Sequence, residues 1–185
     1  MIPSKGQLLS MLKDIGGANP YYVATTAEEA KNFPNLLPNV SEKDIVHVKR
    51  QFKFPWWRRG LGHKLHLEKR GFYEESNVTN VRCVSHDATD INTNGKVMCT
   101  RCQQTRELDG NDYFPTKLNE LSCGAGFNSM FCGNGGQCFQ KYLYMPMLEY
   151  KNDSCTTSGG KETCTQNWKK FHYKLRSCCE CQKMD

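Results

Sequence analysis

Eleven cysteines crowd into the stretch from Cys83 to Cys181, and the 82 residues ahead of them contain none. No other feature limits the fold so severely. At that density the cysteine-bearing part is built like a small scaffold in which covalent bridges supplement a limited apolar core. Charge divides at the same place. Residues 1–70 hold 12 Lys and Arg against 6 Asp and Glu, whereas residues 71–185 hold 13 against 13. The net charge of +6 therefore belongs to the cysteine-free part. A nucleic-acid-binding domain carries its basic surface on the folded unit, so no nucleic-acid partner is implied. The chain divides into residues 1–70, a pro-segment or linker expected to be partly disordered with short helices, and residues 71–185, a cysteine-rich domain.

In MIPSKGQLLSMLKDIGG, Leu8, Met11, Leu12 and Ile15 share one helix face. Lys5, Lys13 and Asp14 interrupt the apolar run a signal peptide needs, so no signal peptide is visible. A helix over Ser4 to Ile15 is expected to stop at Gly16 and Gly17. Thr26 with Glu29, and Ser41 with Asp44, resemble N-terminal caps. NFPNLLPN (32–39) reads as a turn region, and these patterns are too short to predict a core. No stretch reaches the ~18 apolar residues of a membrane helix, so no membrane insertion is expected. Further on, RQFKFPWWRRGLGHKLHLEKRG (50–71) interleaves Phe52, Phe54, Trp56 and Trp57 with basic residues. It is read as an exposed linker with three dibasic pairs, Lys49-Arg50, Arg58-Arg59 and Lys69-Arg70, where a hormone precursor is commonly cut. Cleavage after Arg70 would begin the mature chain at Gly71.

From about residue 80 the pattern turns to strands. KVMCTRCQQTREL (96–108) alternates imperfectly, and Asp109-Gly110 supplies a turn before the extended run from Tyr113 to Leu121. QCFQKYLYMPMLEY (137–150) is aromatic and apolar, and its Pro146 argues for an edge strand or a bulge. KFHYKLR (170–176) sets Phe171, Tyr173 and Leu175 against Lys170, His172, Lys174 and Arg176, the alternation of a half-buried antiparallel strand. Between these strands, KNDSCTTSGGKETC (151–164) reads as a polar loop stapled by Cys155 and Cys164. Tyr113, Phe114, Tyr142, Tyr144, Met145 and Met147 are candidate receptor or dimer contacts; core packing accounts for them equally well.

The cysteines admit three chemistries. A zinc site would join Cys99 and Cys102 to Cys178, Cys179 and Cys181, but a zinc ribbon wants a second Cys-x2-Cys roughly 15–20 residues on. Here Cys123, Cys132 and Cys138 stand singly. A redox Cys-x-x-Cys belongs at a helix N-terminus, and the surroundings of Cys99 read as extended. Gly133-Asn134-Gly135-Gly136 lacks the Lys-Ser/Thr of a phosphate loop, no other catalytic motif is present, and His86 and His172 are isolated. The chain is read as a non-enzyme with no catalytic residues, metal or cofactor. A disulfide framework fits best. Each bridge typically adds ~2–4 kcal/mol to a domain with little apolar core. The sequons at Asn39, Asn77 and Asn152 agree with a secreted, extracellular glycoprotein.

Cys-Thr-Arg-Cys, then RELDGNDYFPTKLNELSC, then CGNGGQC and a terminal CEC resemble the arthropod Trunk and prothoracicotropic-hormone group, secreted cystine-knot ligands of the receptor tyrosine kinase Torso. The likeness covers residues 99–150 and 167–182, and Glu107 to Cys123 is its most specific part. It implies an all-β growth-factor fold of elongated antiparallel strands. It also implies a disulfide-linked homodimer that activates a cell-surface receptor. Carried over, the family's knot pairs Cys123 with Cys179 and Cys132 with Cys181, with Cys102 bonded to Cys138 through the resulting ring. Cys99 would then link two copies, and Cys83 would pair with Cys178. Two departures stand out. Cys99 and Cys102 are two residues apart where the group has one, and the CCEC ending is closer to Spätzle-type Toll ligands. A Toll ligand and a noggin-like growth-factor antagonist are the neighbouring alternatives, and an intracellular zinc module is the distant one.

Overall fold

The computed structural model describes residues 3–47, 77–123, 131–132, 136–158 and 161–183, with the side chains of 131, 152–158 and 161–166 outside that description. Most of it is antiparallel β-sheet, in keeping with the expected all-β class. Two sheets pack together. The first runs, edge to edge, through β1 (Val23–Ala24), β6 (Lys117–Cys123), β4 (Arg101–Glu107), β3 (Val78–Val84) and β2 (Ile45–His47). The second is a long two-stranded ribbon, β8 (Gly136–Ser158) and β9 (Lys161–Lys183). The free side of β8 takes β7 (Phe131–Cys132) at one end and β5 (Tyr113–Phe114) further along.

Strand β6 is buried on both faces. Because side chains alternate along a strand, Leu118 and Glu120 share one face, Asn119 and Leu121 the other. Leu118 packs with Met145, Met147 and Leu175 of the ribbon. Leu121 packs with Leu37, Val40, Val84 and Cys99 on the opposite side. The polar residues between them are buried because each is hydrogen-bonded. Asn119 and Gln103 of β4 bond each other and the carbonyl of Pro34, while Asn119 also reaches the carbonyl of Tyr21 at 3.0 Å.

Residues 3–47 depart from the expectation of a weakly structured segment that buries no core. They contribute both edge strands of the first sheet, β1 against β6 and β2 against β3. Helix α1 (Lys5–Asp14) forms as predicted, with Ser4 in a reciprocal capping box with Gln7. Its C-terminus closes where Gly16 takes a positive φ of 77°. The Gly16 N–H bonds the carbonyl of Lys13 and the Gly17 N–H that of Leu12, the Schellman arrangement glycine allows. Leu8 and Leu12 then pack with Phe114 and Leu148. Thr26 caps α2 (Ala27–Lys31) through the N–H of Glu29. The Glu29 carboxylate accepts from the Thr25 N–H and hydroxyl, which lowers its pKa below the usual carboxylate value. Ser41 opens a 3-10 turn at Glu42–Asp44 without a side-chain bond. The short apolar patterns of this segment gain a core from the sheet they lie on, which local sequence does not register.

Along β9 the predicted alternation holds through Leu175, with Leu175 buried, Phe171 and Tyr173 half-buried, and Lys170, His172 and Lys174 exposed, but Arg176, expected on the exposed face, is drawn inward to Glu120. Of residues 151–164, expected as a polar loop, 151–158 and 161–164 instead prolong the two strands of the ribbon. Cross-strand backbone pairing continues there and sets Cys155 opposite Cys164 in register. Pro146 lies opposite His172, on a part of β8 that no strand other than β9 pairs among the described residues, so its missing N–H leaves no gap in a central ladder.

Candidate functional site

Among the described residues there are four disulfides, and two of them, Cys123–Cys179 and Cys99–Cys138, tie the first sheet to the base of the ribbon. Cys123 at the end of β6 bonds Cys179 of β9, and Cys132 of β7 bonds Cys181, also on β9. The other two bridges differ from the expected pairing. Cys138 bonds Cys99 and not Cys102; Cys83 bonds Cys102 and not Cys178. Register supplies the reason. Cys83 and Cys102 stand directly opposite on β3 and β4, with Cα atoms 4.0 Å apart, so each is the other's nearest partner. Cys99, just ahead of β4, is left to meet Cys138, and it is therefore engaged within the chain instead of linking two copies. Among the described cysteines, Cys178 is unpaired and exposed, opposite Lys141 on the ribbon.

The base is tightly assembled. Cys138 and Cys181 face each other across the ribbon yet bond to different partners, so their bridges lie side by side. The sulfurs of Cys99, Cys132 and Cys138 all fall within 4.8 Å of one another. All three are committed to disulfides, and a zinc site needs thiolates. Gly136 explains the close approach. A Cβ there would lie 3.0 Å from the Cys132 sulfur and 3.1 Å from that of Cys181, with the Gln182 carbonyl at 3.1 Å. The Gln140 amide fastens the same corner. It accepts from the Cys123 N–H and donates to the carbonyls of Leu121 and Cys178.

Of the six contact candidates, Phe114, Met145 and Met147 are core residues, Met147 being 0% exposed. The ring of Tyr113 rests against Phe171. Tyr142 and Tyr144 stand out in solvent, Tyr144 at 63% exposure, with the Lys174 ammonium 4.1 Å from the centre of the Tyr142 ring. Together with Phe139 and Leu143 they form an exposed apolar stretch of β8 beside Cys178. Asn77 is exposed at the start of β3, and Asn39 is exposed with its amide donating to Asn92. The side chain of Asn152, and the dibasic pairs Lys49-Arg50, Arg58-Arg59 and Lys69-Arg70, lie outside the described residues.

One cluster has no counterpart in the sequence reading. Glu120, 1% exposed, accepts from Arg106 of β4 at 2.7 Å and from Arg176 of β9 at 3.1 Å. Gln104 donates to the same carboxylate, and the Tyr173 hydroxyl lies 3.5 Å from its other oxygen. Burial, and then the neighbouring Glu120 charge, push the Tyr173 pKa up to about 12, against the opposing pull of both arginines. A glutamate between Asn119 and Leu121 looks like a solvated strand residue; the arginines that neutralise it are 14 and 56 positions away. The cluster joins the first sheet to the ribbon. A groove lined by Phe33, Asn35, His47, Arg82, Gln103 and Thr105 lies where residues 3–47 meet β3 and β4.

No protein-family model matches the chain, and no solved structure matches it. Several disulfides, four of them among the described residues, are typical of extracellular proteins. Among the described residues, no helix is long and apolar enough to cross a membrane.

Proposed function

We propose that this chain is a secreted cystine-knot signalling ligand, made as a precursor and active as a covalent homodimer on a receptor tyrosine kinase of the Torso type. One observation carries the reading. The bridges Cys123–Cys179 and Cys132–Cys181 join two short backbone segments into a closed ring at the foot of a long β-ribbon, with the Cys99–Cys138 bridge packed against them. Such a base makes a rigid stem from which the ribbon projects as a finger, and two fingers in one dimer bring two receptors together. With Cys99 engaged inside the chain, the link between copies falls to Cys178, next to the exposed Phe139, Tyr142, Leu143 and Tyr144.

Electrophoresis of the purified protein with and without reductant tests the dimer. The mass is expected to halve on reduction, and Cys178→Ser is expected to run as a monomer in both lanes. Stoichiometric zinc with titratable thiols would refute the ligand reading. Receptor phosphorylation in Torso-expressing cells then decides the receptor; silence there with a Toll response would move the assignment to the Spätzle-like class.

A further inference from the structure

Residues 71–185 are neutral in sum, with 13 Lys and Arg against 13 Asp and Glu, yet their charges are unevenly spread. Residues 137–148 of β8 and 163–179 of β9 together hold five Lys and Arg and no Asp or Glu. Leu175 is fully buried against Leu118, Met145 and Met147, and with Phe171 and Tyr173 it fixes the inward side of β9. Alternation then turns Lys170, His172 and Lys174 outward, and all three are exposed. Two residues along a strand cover about 7 Å, so these three positions form a straight row about 14 Å long. Among the described residues β9 pairs only with β8, which leaves the row on the outer strand of the ribbon. The nearby carboxylates are engaged elsewhere: Glu149 with Lys151, Glu180 with Lys141, and the buried Glu120 with Arg176. Among the described residues no carboxylate pairs with Lys170 or Lys174. The Lys174 ammonium instead lies 4.1 Å from the centre of the Tyr142 ring, and exposed Tyr144 stands opposite Lys174 in register.

We propose that the row Lys170, His172 and Lys174, with Tyr142 and Tyr144 beside it, binds a linear sulfated polysaccharide. A row of cations without carboxylate partners draws a polyanion, and the buried side of β9 holds that row in place before anything binds. Its width fits a chain and not a plane, since an anionic membrane is met by cations spread over a face. Each tyrosine adds a flat apolar ring with a hydroxyl at its tip, which suits a sugar ring. Nucleic acid is the other linear polyanion. Several disulfides are typical of extracellular proteins, and outside the cell the common linear polyanion is sulfated polysaccharide. The inference goes beyond the ligand reading and leans on it only for that choice; the test uses no receptor and no dimer, so either can fail alone.

The full oxidised protein is measured against immobilised heparin as the sulfated probe, alongside desulfated heparin, duplex DNA and phosphatidylserine vesicles. It is expected to stay on heparin at about 0.15 M salt and to leave as salt rises, because screening weakens exposed charges. Desulfated heparin should not hold it. Lys170→Gln with Lys174→Gln should weaken heparin binding at least about ten-fold, since each lost contact also forfeits the release of a counterion. Lys170→Arg with Lys174→Arg should bind as the wild type does. Lys31→Gln with Lys43→Gln removes the same charge from exposed positions on α2 and the 3-10 turn, and should change binding less than about two-fold. All four lysines are exposed, so the disulfide map and the melting midpoint should stay as they are. Full binding by the Lys170 and Lys174 glutamine variant, loss in the arginine variant, an equal loss in the Lys31 and Lys43 variant, or DNA or vesicles held as tightly as heparin would each overturn the site.

Discussion

Residues 3–47 and the β8–β9 ribbon both lie against strand β6, yet they are fastened to it in different ways. The ribbon is joined to β6 by the Cys123–Cys179 bridge and shares the buried Glu120 cluster with it. The N-terminal segment is joined by two short edge strands, an apolar helix face and a pair of buried amides. A disulfide acts mainly by restricting the unfolded chain and persists when packing fails, whereas apolar contacts count only while the surfaces touch. One region is therefore held permanently and the other conditionally, although both contribute to a single core.

The sharpest way to break this contrast is to remove a bridge from the base. Replacing Cys132 and Cys181 together by alanine should cost about 2–5 kcal/mol, measured by denaturant unfolding of the oxidised protein. The ribbon's foot, Gly136 included, should lose amide protection first. Leu12→Ala attacks the other side. Leu12 is 0% exposed at the α1–ribbon contact, and its truncation should cost toward the lower end of ~2–5 kcal/mol, because a helix at the chain's periphery can settle into the space. Its disulfide map should stay native. Scrambled pairing in Leu12→Ala would show that the conditional region directs the covalent one.

What could be read from the sequence follows the same division. The all-β class and the alternating β9 strand rest on local patterns, whereas the pairs Cys123–Cys179 and Cys132–Cys181 came only from the family resemblance. The partners of Cys83, Cys99 and Cys138 depend on the register between β3 and β4, which cysteine spacing does not encode. Helix α1 was legible because Ser4, Gln7, Gly16 and Gly17 mark its ends. Its role in the core was not, since Leu8 and Leu12 meet Phe114 and Leu148 more than a hundred residues away. Glu120 was hidden for the same reason, its charge partners lying on two other strands.

Tyr173 offers a smaller, pH-dependent probe of the joint between sheet and ribbon. Its folded pKa of about 12 lies above the ordinary tyrosine value of about 10, so the folded state keeps the phenolic proton longer than the unfolded chain does. The associated stability is complete below about pH 10 and is lost as pH rises from there through 12. By the usual conversion the full difference is about 3 kcal/mol, and partial solvent access reduces it. Denaturation midpoints across this window should fall for the wild type and flatten in Tyr173→Phe. An absorbance titration should show one of the eight tyrosines ionising late. A normal titration for all eight would mean that the Glu120 cluster is open to water.

The least disruptive probe is Ser4→Ala. The Ser4 hydroxyl accepts from the Gln7 N–H at 3.3 Å, and the Gln7 side chain accepts from the Ser4 N–H at 2.7 Å. Both groups are exposed, so the change leaves the apolar contacts of Leu8 and Leu12 intact and removes only the cap, at a cost of roughly 0.5–1 kcal/mol. Because that cost falls on a helix held without covalent help, it should appear as faster hydrogen exchange confined to α1 and the strands it steadies. The amides of β4, β9 and the bridged base should exchange as before. Faster exchange throughout would mean that the two regions unfold as one, and that the disulfides protect the N-terminal segment as fully as they protect the ribbon.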